Sequence, residues 1–118
     1  MRYLSIFKTA ERNAPITEEE SKRMGQFIEQ MIKRGKLLST EGCLPTKLGA
    51  RVKLSKGKVT VTDGPFAEAK EVVGGFAILQ ADSREEAIEL TREFLAFNRT
   101  DGECELRQLY EAPALVER

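Results

Sequence analysis

Asp63-Gly64-Pro65-Phe66 gathers more special chemistry than any other stretch of this chain. An aspartate can close an Asx-turn on its own backbone, glycine tolerates close approach, proline fixes the exit and phenylalanine fills an apolar gap. The same aspartate, if partly desolvated beside a cleft, would have a raised pKa suited to general acid-base work. With no histidine in the chain, Ser-His-Asp and Cys-His nucleophile pairs and imidazole metal ligands are excluded. A carboxylate is then the most plausible base. Asp63 is the candidate catalytic residue, Gly64, Pro65 and Phe66 are the candidate substrate-binding residues, and Lys8, Lys70 and Tyr3 are possible neighbours. The competing reading is a tetrapeptide that only shapes a turn.

Cys43 and Cys104 lack C-x-x-C spacing, and no histidine completes a zinc set, so two free thiols packed as small hydrophobes are expected, with no metal and no cofactor. Nineteen basic residues balance nineteen acidic ones, which leaves no global field to attract nucleic acid or an anionic membrane. The charge is nevertheless polarised. Lys47, Arg51, Lys53, Lys56 and Lys58 lie in a stretch free of acids, whereas Glu85, Glu86, Glu89 and Glu93 share the second predicted helix. The basic stretch reads as a solvated hairpin face or as a site for an acidic partner. It carries no interleaved aromatics on which bases could stack, so nucleic acid is not expected. The apolar run near Met1 is too short for a signal-peptide core or a membrane span, so a cytoplasmic protein is expected.

These residues need a scaffold, and 118 residues suit a single domain spanning 1–118. Residues 2–8 read as a strand. Thr17 followed by Glu20 has capping-box spacing, and Met24, Phe27, Ile28, Met31 and Ile32 form one apolar face, so a helix is expected over 18–34 with Gly35 as its cap. A short strand over 36–40 and a turn-rich connection follow. Arg51–Ser55 and Lys58–Thr62 alternate about Lys56-Gly57 as a hairpin that pairs Leu54 with Val59 and Val52 with Val61. The run over 71–80 reads as a central strand with Gly74-Gly75 marking a bulge or close approach. Asp82 or Ser83 caps a second helix with Ala87, Leu90, Phe94 and Phe97 buried, and a last strand over 103–110 is stopped by Pro113. Two strand-helix-strand halves flanking a hairpin give an α+β, ferredoxin-like split βαβ plan with an inserted β-hairpin. One face of its sheet is left open, and pairing two sheets about a two-fold axis is the simplest cover.

The Asp63-Gly64-Pro65-Phe66 motif, the Val59-Thr60-Val61-Thr62 strand before it and the run Ala67-Glu68-Ala69-Lys70-Glu71-Val72-Val73-Gly74-Gly75-Phe76 after it resemble the YCII-related family, specifically its DGPF branch. Glu41-Gly42-Cys43-Leu44-Pro45-Thr46 and the Ser83-Arg84-Glu85-Glu86-Ala87 helix opening extend the resemblance over nearly the whole chain. It implies a dimeric α+β barrel of ferredoxin-like protomers. It also implies a cleft in which the wider family is proposed to use a His-Asp pair, the histidine lying on the first helix. Counting back from Gly35, that histidine falls at Met24, so the dyad is broken and only Asp63 carries over as a site residue. The expected function is a homodimeric small-molecule-binding protein or possible enzyme. The alternative is a non-catalytic regulatory or interaction module, because genes of this branch often neighbour those of extracytoplasmic-function sigma factors.

Overall fold

The computed structural model describes residues 1–111; Pro113 lies outside them, and the last strand, expected to run to Tyr110, ends at Gln108. Its elements are β1 (Arg2–Thr9), α1 (Glu18–Lys33), β2 (Leu37–Gly42), a 3-10 turn (Thr46–Leu48), β3 (Ala50–Ser55), β4 (Lys58–Asp63), β5 (Val72–Gln80), α2 (Arg84–Asn98) and β6 (Glu103–Gln108).

Local chemistry sets both helices. The Thr17 side chain accepts from the Glu20 amide and the Glu20 carboxylate accepts from the Thr17 amide, each at 3.1 Å, which satisfies two orphan donors reciprocally. At the other end of α1, Gly35 sits at φ +73°. Its N–H donates to Ile32 while that of Lys36 reaches back to Met31, the pairing of a Schellman cap. Ser83, not Asp82, caps α2 through the Glu86 amide, and the Glu86 carboxylate accepts from the Asp82 N–H. The left-handed residue that ends α2 is Arg99 at φ 59°.

The four-stranded sheet has the order β2-β5-β1-β6, every neighbouring pair antiparallel. Each strand-helix-strand unit therefore straddles a strand of the other, an α+β arrangement consistent with the ferredoxin-like plan. Alternation along β1 turns Tyr3, Ser5 and Phe7 toward the helices. Tyr3 joins Met31, Leu37, Leu79, Ala81, Ala87 and Leu90 in the buried core. The register pairs Leu4 with Ile78 and Ile6 with Phe76, and these four point to the opposite side, which neither helix covers. The register of β1 on β5 skips Gly74. A Cβ there would lie 3.2 Å from the Phe7 ring, and one on Gly75 would lie 2.7 Å from the Glu41 carbonyl oxygen, so both glycines answer to close approach at a bulge.

The β3–β4 hairpin has the expected register, Leu54 opposite Val59 and Val52 opposite Val61. Lys56 at φ 51° and Gly57 at φ 77° give the left-handed pair a type I′ turn needs. The hairpin stands apart from the four-stranded sheet. It forms a separate two-stranded sheet in which every residue is exposed.

Candidate functional site

Two concavities flank the sheet. The first, about 670 Å³, lies between the helices and the sheet, where Phe7, Met24, Phe27, Met31, Phe94 and Cys104 line it. Phe7 meets Phe94 edge to face at 5.5 Å between centroids, and Phe27 stacks on Phe97 at 4.5 Å. These contacts hold the aromatic wall in the geometries that ring quadrupoles favour. The buried Thr91 hydroxyl is already committed, donating to the Ala87 carbonyl at 2.8 Å. Burial pushes the half-buried Cys104 thiol up, against a smaller opposing effect of a hydrogen bond with Ser5. Glu11 and Arg12 stand at the rim. Arg12 is held by both Glu20 oxygens at 2.8 and 2.9 Å and also donates to the Pro15 carbonyl, so its charge is engaged. The cavity offers apolar and aromatic surface and, among the described residues, no free cation in its depth, which fits an uncharged molecule.

The second concavity is an open cleft of about 690 Å³ at the base of the hairpin, lined by Lys8, Cys43, Thr46, Arg51, Phe66 and Glu71 among others. Lys8 donates to Glu105 at 2.7 Å, a contact that raises the ammonium pKa and lowers that of the carboxyl. The Arg51 guanidinium lies 3.8 Å from the centroid of the Phe66 ring and also pairs with Glu68. The hydrogen bond from Arg51 is the main reason the Glu68 carboxyl is held below its ordinary range.

Beside the open cleft, which Phe66 lines, sits the Asp63-Gly64-Pro65-Phe66 turn, whose contacts are mostly to backbone. Gly64 donates to the Gly49 carbonyl at 3.0 Å, and a Cβ on Gly64 would fall 1.6 Å from the Thr46 carbonyl oxygen. The Phe66 N–H donates to the Thr46 hydroxyl at 3.1 Å, and that hydroxyl donates to Glu11. The Thr46 N–H reaches the other Glu11 oxygen at 3.2 Å. One carboxylate from the β1–α1 loop thus ties the 3-10 turn and the hairpin base together.

The predicted site residues are therefore dispersed. Asp63 is exposed at the end of β4, opposite Ala50, and lines neither concavity; Phe66 lines the open cleft with Lys8. Pro65 is exposed after a cis bond, Lys70 is exposed, and Tyr3 is buried in the core. Met24, where the resemblance places the helix histidine, lines the inner cavity. Sequence reading missed Glu11 and Thr46, and no local signal marks them, because the pair is 35 positions apart. Among the described residues, no group of three or more Cys, Asp or Glu side chains is placed to hold a metal, and no helix is long and apolar enough to cross a membrane.

The sequence model of the YCII-related domain matches residues 1–112. An uncharacterized protein of Rhizobium meliloti (strain 1021) is 32% identical over 97 residues, an alignment that spans 79% of this chain and 78% of that protein.

Proposed function

The chain belongs to the YCII-related domain family, and on that footing we propose that it is a homodimeric protein that binds an uncharged, largely aromatic small molecule in the cavity between its helices and sheet. The observation that carries this reading is the cavity wall itself: the rings of Phe7, Phe27 and Phe94 with Met24 and Met31 around about 670 Å³, the size of a small-molecule site. Met24 supports the location, since the position to which the resemblance assigns the histidine opens onto this same space. A thioether there transfers no proton, so binding is favoured over histidine-dependent turnover. The dimer is supported by the half-buried row of Leu4, Ile6, Phe76 and Ile78, which neither α1 nor α2 covers.

A second reading keeps Asp63 as an acid-base group at the open cleft. It is favoured by the position of its register partner Ala50, which lines that cleft together with Lys8 and Phe66. Calorimetry with 2-naphthol and a panel of uncharged aromatic metabolites separates the two. Binding by the wild type that is weakened tenfold or more in Met24→Trp and unchanged in Asp63→Asn is the expected result. Loss in Asp63→Asn with full binding by Met24→Trp transfers the site to the cleft. Failure of the wild type to bind any of the panel overturns the small-molecule reading.

A further inference from the structure

We infer that the β3–β4 hairpin is an exchange arm: in the dimer, the arm of each protomer lies along the second copy of the chain and buries its aliphatic face there. The inference takes up the dimer of the preceding reading and names a part of its interface.

Three observations carry it. The arm's one apolar face, Val52, Leu54, Val59 and Val61, is 61–70% exposed, and no helix or other strand among the described residues covers it. A two-stranded ribbon alone in water is marginal at best, so an arm with this regular register needs a surface to rest on. The second observation is area. The chain exposes 8926 Å², whereas a folded monomer of 13.3 kDa exposes about 6,500 Å². The excess, about 2,400 Å², is what one protomer of an obligate homodimer buries toward the upper end of the usual range. The radius of gyration agrees, at 16.2 Å against about 13.5 Å for a chain of this length.

The third observation is charge. The arm's other face and its turn carry Arg51, Lys53, Lys56 and Lys58 with no acid among them. The uncovered sheet face is bordered by charges of both signs: Glu105 is already paired with Lys8 and Arg107, whereas Glu41 and Glu103 form no ion pair among the described residues. Glu41 stands in register with Phe76, Glu105 with Ile6, and Glu103 with Lys8. A basic arm reaching a second copy therefore meets an apolar surface at whose edges Glu41 and Glu103 can receive its lysines, and the two-fold repeats the contact in reverse. The six-residue strands give the arm about 20 Å of reach.

Sedimentation equilibrium of the wild type and of Val52→Lys/Val61→Lys tests it. Both positions are exposed in the isolated protomer, so far-UV circular dichroism should be unchanged while the dimer dissociation constant rises tenfold or more. Hydrogen exchange on the wild type gives an independent reading. Amides of residues 51–55 and 58–62 should lose protection on dilution through the dissociation constant. A dimer that withstands the double substitution, with arm exchange independent of concentration, overturns the arm and leaves the dimer standing. A wild type that stays monomeric at every concentration overturns both.

Discussion

Replacing Gly64 with alanine should be the most damaging single-methyl change in the chain. The added Cβ would sit 1.6 Å from the Thr46 carbonyl oxygen and 2.6 Å from its carbon. Both are backbone atoms, so no rotamer change relieves the overlap, and the hairpin base must move away from the 3-10 turn by about 2 Å to reach ordinary contact distance. That movement breaks the Gly64 N–H bond to Gly49 and the Phe66 N–H bond to Thr46. Each is worth about 0.5–1.5 kcal/mol net. With the displaced packing of Phe66 added, the loss should be about 2–4 kcal/mol. At about 4 °C per kcal/mol for a domain of this size, Tm should fall by roughly 8–16 °C. Differential scanning calorimetry at one fixed protein concentration reads it, because dimerisation makes Tm concentration-dependent. Gly25→Ala is the matched control. Gly25 lies exposed in α1 with nothing within 4 Å of a built Cβ, so alanine there should stabilise by about 0.5–1 kcal/mol. A Gly64→Ala variant that melts within about 2 °C of the wild type would refute the account of this turn as a backbone clasp.

Two further predictions rest on ionisation. The Glu20 carboxyl is held down to about 2, chiefly by its hydrogen bond from Arg12 and then by the Thr17 backbone. Because this lies below the unfolded value, the associated stability is complete above about 4.5 and is lost as pH falls toward 2. The Tm difference between wild type and Glu20→Gln should accordingly be constant near neutrality and close across that acidic interval, and a pH-independent difference would count against it. The cysteines should differ in reactivity. Cys43 is exposed, whereas burial raises the Cys104 thiol, so iodoacetamide followed by mass spectrometry should show Cys43 alkylated well before Cys104. Equal rates would contradict the placement of Cys104.

The features legible in the sequence are those whose determinants lie close together along the chain. Thr17 and Glu20 sit three residues apart and announce a helix start, and Lys56-Gly57 between alternating valines fixes a hairpin register, because turn geometry and period-two alternation are local. The choice between Asp82 and Ser83 needed the backbone, since both have a glutamate three residues on. The strand after α1 was expected to end at Thr40 and instead runs to Gly42, because β5 extends far enough to pair with it there. The candidate site was less legible. The inner cavity is assembled from β1, α1, β2, β5, α2 and β6, and no periodicity states how much space such layers leave between them. The alternation of Val52, Leu54, Val59 and Val61 correctly showed a single apolar face, yet the same pattern suits a hairpin folded into its own core and one presented to another molecule. The contact between Glu11 and Thr46 follows from tertiary approach alone.

The excursion that carries the hairpin leaves the sheet and returns to it almost at one point. Gly42 pairs with Gly75, and the Cys43 N–H donates to the Gly74 carbonyl at 2.9 Å, so the segment is pinched at its neck while β2 and β5 remain zipped beneath it. Its two ends are held about one strand spacing apart whatever lies between. Loop-closure entropy rises only with the logarithm of length, about 0.6 kcal/mol per doubling. A chain of this architecture can therefore lengthen, shorten or exchange everything beyond the neck at little cost to the register of its four-stranded body, which makes the excursion the natural place for such a scaffold to diversify.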